Sequence, residues 1–168
     1  MSGTAALLLQ RQLKELQKNP VDGFSAGLKD DNIFHWEVMI MPQEGSPYNG
    51  AMFCAELVFP KDYPSNPPKM RFVKVIPWHP NVYEDGRVCI SILHPPGDDE
   101  YGYEDASERW LPVHTVTTIL LSVTSMLADP NDESPANLEA AKEWREDKET
   151  FKKKVRSCVR RSQEEAFL

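Results

Sequence analysis

The chain has 168 residues, 40% of them hydrophobic, with 26 acidic side chains against 19 basic ones and a net charge of −7. That length suits one packed domain, residues 1–168, the apolar content excludes a disordered polymer, and the negative balance argues against general nucleic-acid binding. The longest apolar runs, "ALLL" near the start and "ILLSV" at 119–123, fall far short of the ~20 residues of a membrane span, and the start lacks the pattern of a signal peptide, so we expect the protein in the cytosol or nucleus.

"TAALLLQRQLKELQKNP" reads as an amphipathic helix with Leu9, Leu13 and Leu16 on one stripe, Thr4 as its cap and Asn19-Pro20 as its stop. Arg11, Gln12 and Lys14 point away from that stripe, toward water or a partner. Three period-two patterns follow. In "FHWEVMI", Phe34, Trp36, Val38 and Ile40 share a face; in "MFCAELVF", Phe53, Ala55, Leu57 and Phe59 do; "KMRFV" repeats the period through Met70 and Phe72. The joints between them, "EGSPYNG" and "PKDYPSNPP", are short and rich in turn residues, which implies an antiparallel meander. Cys54, on the middle pattern, reads as inert packing.

From Lys74 to Pro112 periodicity is weak. This stretch contains Cys89, and its apolar Ile90, Ile92, Leu93 and Trp110 call for burial, so we expect order at its base and mobility around its acidic part. Between Asp98 and Glu108 stand six acids and no base. After Pro112 the period becomes helical: Val113, Val116, Ile119, Leu120, Val123 and Leu127 form one stripe, "DPNDESPAN" interrupts it, and later helices run through Ala140, Ala141 and Trp144, then Phe151, Val155, Cys158 and Val159. The last of these carries seven bases and one acid between Lys148 and Arg161, which reads as a solvated face. A helix, a meander and then helices make an α+β plan.

The cysteines Cys54, Cys89 and Cys158 are odd in number and far apart, which argues against a disulfide framework. No CxxC pair is present, and His79, Cys89 and His94 lack zinc spacing, so no metal site is expected. A thiol attacks as its thiolate, and protease-like chemistry would recruit His79 or His94 as the base. The local protease signatures are missing, however, and "HPN" reads as a turn in which His79 is structural. Asn81 is an amide near the cysteine, suited either to holding the loop or to donating to an oxyanion.

These residues carry a resemblance. "HPNVYEDGRVCISIL" resembles the active-site motif of the ubiquitin-conjugating enzymes, "DYPSNPPKMRF" their proline-rich joint, "ERWLPVHTV" their Trp-x-Pro element and "DPNDESPAN" the approach to their late helices. The segment at about 95–109 resembles the acidic loop insertion of one subgroup, which includes the G-type enzymes of degradation from the endoplasmic reticulum. The resemblance implies the family's fold, with an N-terminal helix, a four-stranded antiparallel meander and C-terminal helices. It also implies that Cys89 accepts ubiquitin as a thioester from an activating enzyme, which alone uses the ATP, so that no cofactor is needed here. The acyl group would then pass to a lysine amine on a substrate protein or another ubiquitin, with a ligase, of RING type, holding the complex. The chains built this way would signal proteasomal degradation.

The same resemblance distributes roles. Asn81 would stabilise the oxyanion or the loop. Ser134 stands where many members carry an aspartate that conditions the incoming lysine; it would orient the acceptor, or else cap the following helix. His94, Asp98 and Asp99 belong to the acidic stretch, expected to gate the site or orient the acceptor, because carboxylates would keep a lysine of pKa about 10.4 protonated. The alternative is a merely solvated loop. Pro64, Leu111, Pro112 and Val113 match ligase-contact loops, although Ser65 stands where some relatives place an aromatic. Arg11 and Lys14 match positions that meet activating enzymes and ligases, and Ser25 the face where some members bind a second ubiquitin. Through partners, the protein would also reach the cytosolic face of the endoplasmic reticulum. The rival readings are a noncatalytic binding module and a Cys–His hydrolase.

Overall fold

The structure is a computed structural model that describes residues 2–96 and 109–166. Its elements are α1 (Ser2–Lys18), β1 (Phe24–Lys29), β2 (Asn32–Ile40), β3 (Phe53–Val58), β4 (Lys69–Val73), a single 3₁₀ turn (Ser91–Leu93), α2 (Val116–Ala128), α3 (Leu138–Glu146) and α4 (Lys148–Ala166). The strands form one antiparallel sheet in the order β1-β2-β3-β4. The architecture is therefore the expected α+β plan.

Strand β1, "FSAGLK", shows no clean alternation in sequence; its first residue is buried and the next exposed, and the rest are half-buried. It reaches β2 through Asp30 and Asp31, both at positive φ (53° and 56°), the backbone of the tight hairpin turns whose twist matches that of the strands. Across the sheet Val38 faces Ala55, and Ala55 faces Phe72. This register puts Trp36, Val38, Ile40, Phe53, Ala55, Leu57, Met70 and Phe72 on the buried face, as their period of two requires. The opposite face carries Glu37, Cys54, Glu56 and Arg71. Cys54 is thus half-buried on the outer face rather than core packing.

Helix α1 covers the inner face with Leu9 fully buried and Leu16 nearly so, while Leu13 is half-buried. Thr4 lies inside this helix and not ahead of it. Helix α2 begins at Val116 rather than at Val113, because Thr115 and Thr118 close a capping box there; Val113 stays outside, 80% exposed. The remaining stripe, Val116, Ile119, Leu120, Val123 and Leu127, is fully buried. Asp147 separates α3 from α4. No described helix is long and apolar enough to cross a membrane.

Candidate active site

The segment after β4 is irregular but firmly placed. Trp78 Nε1 donates to Glu143 at 3.0 Å, and Glu143 also receives Lys154 Nζ at 2.5 Å. The Trp78 carbonyl accepts the hydroxyl of the buried Tyr48. His79 follows with 0% exposure. Its Nδ1 accepts the Asn81 backbone N–H at 2.9 Å, so its Nε2 carries the hydrogen and donates to the Met126 carbonyl at 2.8 Å. Burial lowers its pKa to about 4, against a smaller raising effect of the Met126 bond. Both ring nitrogens are committed, so His79 is structural, as the "HPN" turn suggested, and is no base for a thiol.

Residues 81–89 form a small hairpin. The Cys89 N–H donates to the Asn81 carbonyl at 2.8 Å and the Tyr83 N–H to the Arg87 carbonyl at 2.9 Å, with a bridge between Val82 and Val88. Val82 is fully buried; alternation therefore turns the pairs Asn81–Cys89 and Tyr83–Arg87 to the other side. The hairpin leans on the edge strand β4, where the Phe72 N–H donates to the Gly86 carbonyl at 2.8 Å. Gly86 has a φ of +97°, and a Cβ there would lie 2.1 Å from the Phe72 carbonyl oxygen, so only glycine fits. Cys89 is half-buried, unlike the buried Cys158.

The Asn81 side chain is 4% exposed and bonds to the backbone of Asn131 twice: its Oδ1 accepts the Asn131 N–H at 2.9 Å and its Nδ2 donates to the Asn131 carbonyl at 2.5 Å. The N–H groups of Ala136 and Asn137 both donate to the Pro80 carbonyl, at 2.8 and 3.0 Å. The loop ahead of α3 is thereby stitched to Pro80-Asn81. Ser134 lies on this loop and is exposed. It does not cap α3, because the Asn137 side chain accepts from Ala140 in that role. Asn131 is a site residue that the sequence pattern did not single out, although it stands in the quoted "DPNDESPAN".

Beyond Cys89, the 3₁₀ turn buries Ile92, and the His94 carbonyl accepts the Trp110 N–H at 3.1 Å. The flanks of the acidic segment are therefore joined, the order expected at its base. His94 is half-buried. Asp98 and Asp99, with the expected mobility, lie outside the described residues.

Trp110 is fully buried, and its Nε1 donates to the Pro64 carbonyl at 2.8 Å. This bond brings Pro64 close to the turn of Leu111, Pro112 and Val113, all three exposed. Helix α1 joins the same junction through Gln12, whose Oε1 accepts from the Tyr63 hydroxyl and the Val116 N–H, each at 3.0 Å. Gln12 thus points inward, contrary to expectation, while Arg11 and Lys14 remain exposed. A side-chain acceptor at a helix start has no signature in the periodicity of α1. Ser25 is exposed on β1 and lines a separate cavity of about 360 Å³ on the outer sheet face, together with Glu37, Cys54, Glu56 and Lys74. Lys29 at 2.7 Å holds the Glu56 carboxyl below its ordinary range.

Among the described residues no group of three or more His, Cys, Asp and Glu side chains could hold a metal ion. A family model described as ubiquitin-conjugating enzyme matches residues 8–159. Among curated relatives, "Ubiquitin-conjugating enzyme E2 13" of Arabidopsis thaliana is 65% identical over 165 residues, covering 98% of this chain and 99% of its own. "Ubiquitin-conjugating enzyme E2 G2" of Homo sapiens is 53% identical over 163 residues, covering 96% and 98%. The solved structure of human ubiquitin-conjugating enzyme E2 G1 is similar with a TM-score of 0.64 at 57% identity, over 74% of this chain and 95% of that one.

Proposed function

The chain belongs to the ubiquitin-conjugating enzyme family, in its G-type acidic-loop subgroup, and is an E2 thioester transferase; from that premise we propose that Cys89 is the sulfur that carries ubiquitin. The supporting observation is the pairing of Cys89 opposite Asn81 in a hairpin fixed at Pro80-Asn81, at Gly86 and at the base of the acidic segment. The Cys89 thiolate attacks the thioester carbonyl that links the ubiquitin C-terminus to the activating enzyme, whose thiol leaves. A neutral lysine amine then attacks the new thioester, the Cys89 thiolate departs, and the amine gives up its proton as the isopeptide bond forms. The ATP is spent by the activating enzyme, and this chain uses no cofactor of its own.

Asn81 acts first as the loop holder, since both polar atoms of its amide engage Asn131. One Nδ2 hydrogen remains for an oxyanion. Ser134, exposed on the loop that Asn81 secures, orients the acceptor lysine. His94 anchors the base of a gate whose acidic part includes Asp98 and Asp99.

The family works with ubiquitin, an activating enzyme and ligases. The finer reading is a RING-type ligase seated on Pro64, Leu111, Pro112 and Val113 together with the exposed Arg11 and Lys14 of α1. The cavity beside Ser25 takes a second ubiquitin. Residues 1–168 act as one catalytic domain, in the cytosol or nucleus or at the cytosolic face of the endoplasmic reticulum, and the chains built mark protein substrates for proteasomal degradation. Incubation with activating enzyme, ATP and ubiquitin gives an adduct one ubiquitin heavier that thiols dissolve. Its persistence in Cys89→Ala would overturn the assignment.

A further inference from the structure

The turn between β2 and β3 contains the pair Asn49-Gly50, which the transfer chemistry leaves unused. The chain has seven asparagines, and six of them commit their side-chain amides to the fold. Asn19 and Asn66 donate to Glu15 and Asp62, Asn32, Asn131 and Asn137 accept backbone N–H groups, and Asn81 does both with Asn131. Asn49 is exposed, and its side chain makes no hydrogen bond among the described residues. The residue that follows differs as well. Asn19 and Asn66 precede prolines, which have no N–H. The other four precede Ile33, Val82, Asp132 and Leu138, whose side chains crowd the backbone nitrogen. Asn49 alone is followed by a glycine.

Gly50 is exposed and has a φ of +89°, a conformation that favours glycine, so the turn requires this residue. Its N–H reaches the Pro42 carbonyl only at 3.4 Å, longer than a well-formed bond, so little holds the nitrogen back. Its carbonyl accepts Gln163 Nε2 of α4 at 2.8 Å, and two residues on the Met52 N–H donates to Ser162 Oγ at 3.0 Å. The pair thus lies where the turn is clasped to the last helix.

We propose that Asn49-Gly50 is a site of spontaneous deamidation and isoaspartyl formation, and that this change opens the clasp between the turn and α4. The Gly50 N–H loses its proton to hydroxide, and the nitrogen attacks the side-chain carbonyl carbon of Asn49. The new N–C bond closes a five-membered imide, the side-chain amide C–N bond breaks, and the leaving nitrogen takes up a proton and departs as ammonia. The attack is intramolecular, so no enzyme is needed. Water then opens the imide at either carbonyl. At the side-chain carbonyl it leaves aspartate in an ordinary backbone; at the main-chain carbonyl it leaves an isoaspartyl link that runs through the side chain. The isoaspartyl product lengthens the backbone by one carbon, about 1.5 Å, which carries the Gly50 carbonyl out of reach of Gln163. It also bares an α-carboxylate, the group that isoaspartyl methyltransferases esterify. Neither step depends on which sulfur carries ubiquitin.

The test is ageing of the full chain at mildly alkaline pH. Ion exchange separates the product, which has one more negative charge than the −7 of the parent. Peptide mapping by mass spectrometry locates the change, and an isoaspartyl methyltransferase with labelled S-adenosylmethionine tags the isoaspartyl form. Wild type converts at Asn49 before any other asparagine, and Asn49→Gln, which would have to close a larger ring, does not convert. The separated isoaspartyl protein unfolds in urea about 0.5 M earlier than fresh protein, the size of one hydrogen bond. Gln163→Ala starts lower by the same amount and loses nothing further on ageing. Wild type that stays unmodified at Asn49, or that converts first elsewhere, overturns the proposal. An unmoved urea midpoint in the isoaspartyl protein overturns it too, because the clasp would then have survived.

Discussion

Replacing Asn81 by alanine separates its loop-holding contacts from any role in the chemistry. The substitution deletes the acceptor of the Asn131 N–H at 2.9 Å and the donor to its carbonyl at 2.5 Å. Each such bond contributes about 0.5–1.5 kcal/mol net, and Asn131 is exposed, so water satisfies its freed groups and no further penalty adds. The expected loss is about 2 kcal/mol. With a urea dependence near ~2 kcal/mol per molar, the unfolding midpoint drops by about 1 M. Urea titration by circular dichroism measures it, alongside single-turnover aminolysis of the preformed thioester. Charging survives, because on the proposed assignment it needs only the Cys89 sulfur, while aminolysis falls with the loosened loop ahead of α3. An unchanged midpoint would refute the reasoning, for it would mean that the Asn131 contacts hold nothing and that the amide serves the oxyanion alone.

His79 gives a pH signature. Its folded pKa of about 4 lies below the ordinary 6.5, so the unfolded chain takes up the extra proton between these values, and the stability present above pH 6.5 is lost as pH falls toward 4. The contribution is up to about 3 kcal/mol, and the difference in urea midpoints between pH 7 and 4.5 shrinks in His79→Gln; an equal difference in the variant refutes it. Trp110→Phe removes the donor to the Pro64 carbonyl and costs about 1–3 kcal/mol in thermal or urea unfolding, with weaker ligase-stimulated discharge. Deletion of residues 98–109 impairs lysine transfer or alters linkage more than it impairs charging; equal loss in both assays rules out gating.

What could be read from the sequence was whatever depends on local pattern. The alternation in "FHWEVMI" and "MFCAELVF" fixed which side chains face the core, because a pleated strand has no other way to bury one face. The α2 stripe did the same for that helix from Val116 onward. The resemblance carried by "HPNVYEDGRVCISIL" identified the chemistry and the candidate nucleophile. Local pattern failed where a residue's role depends on a distant partner. Nothing near Gln12 announces Tyr63 and Val116, nothing in "DPNDESPAN" says that the Asn131 backbone closes on Asn81, and the capping of α3 fell to Asn137 rather than Ser134. Strand β1 was hidden because beyond Phe24 its residues are exposed or only partly buried, so hydrophobic alternation is not enforced. The sequence determined the fold class and offered a candidate sulfur; the packing of the loop ahead of α3 on Pro80-Asn81 decided how that sulfur is framed, because hydrogen bonds between segments some 50 residues apart exist only once the core has brought them together.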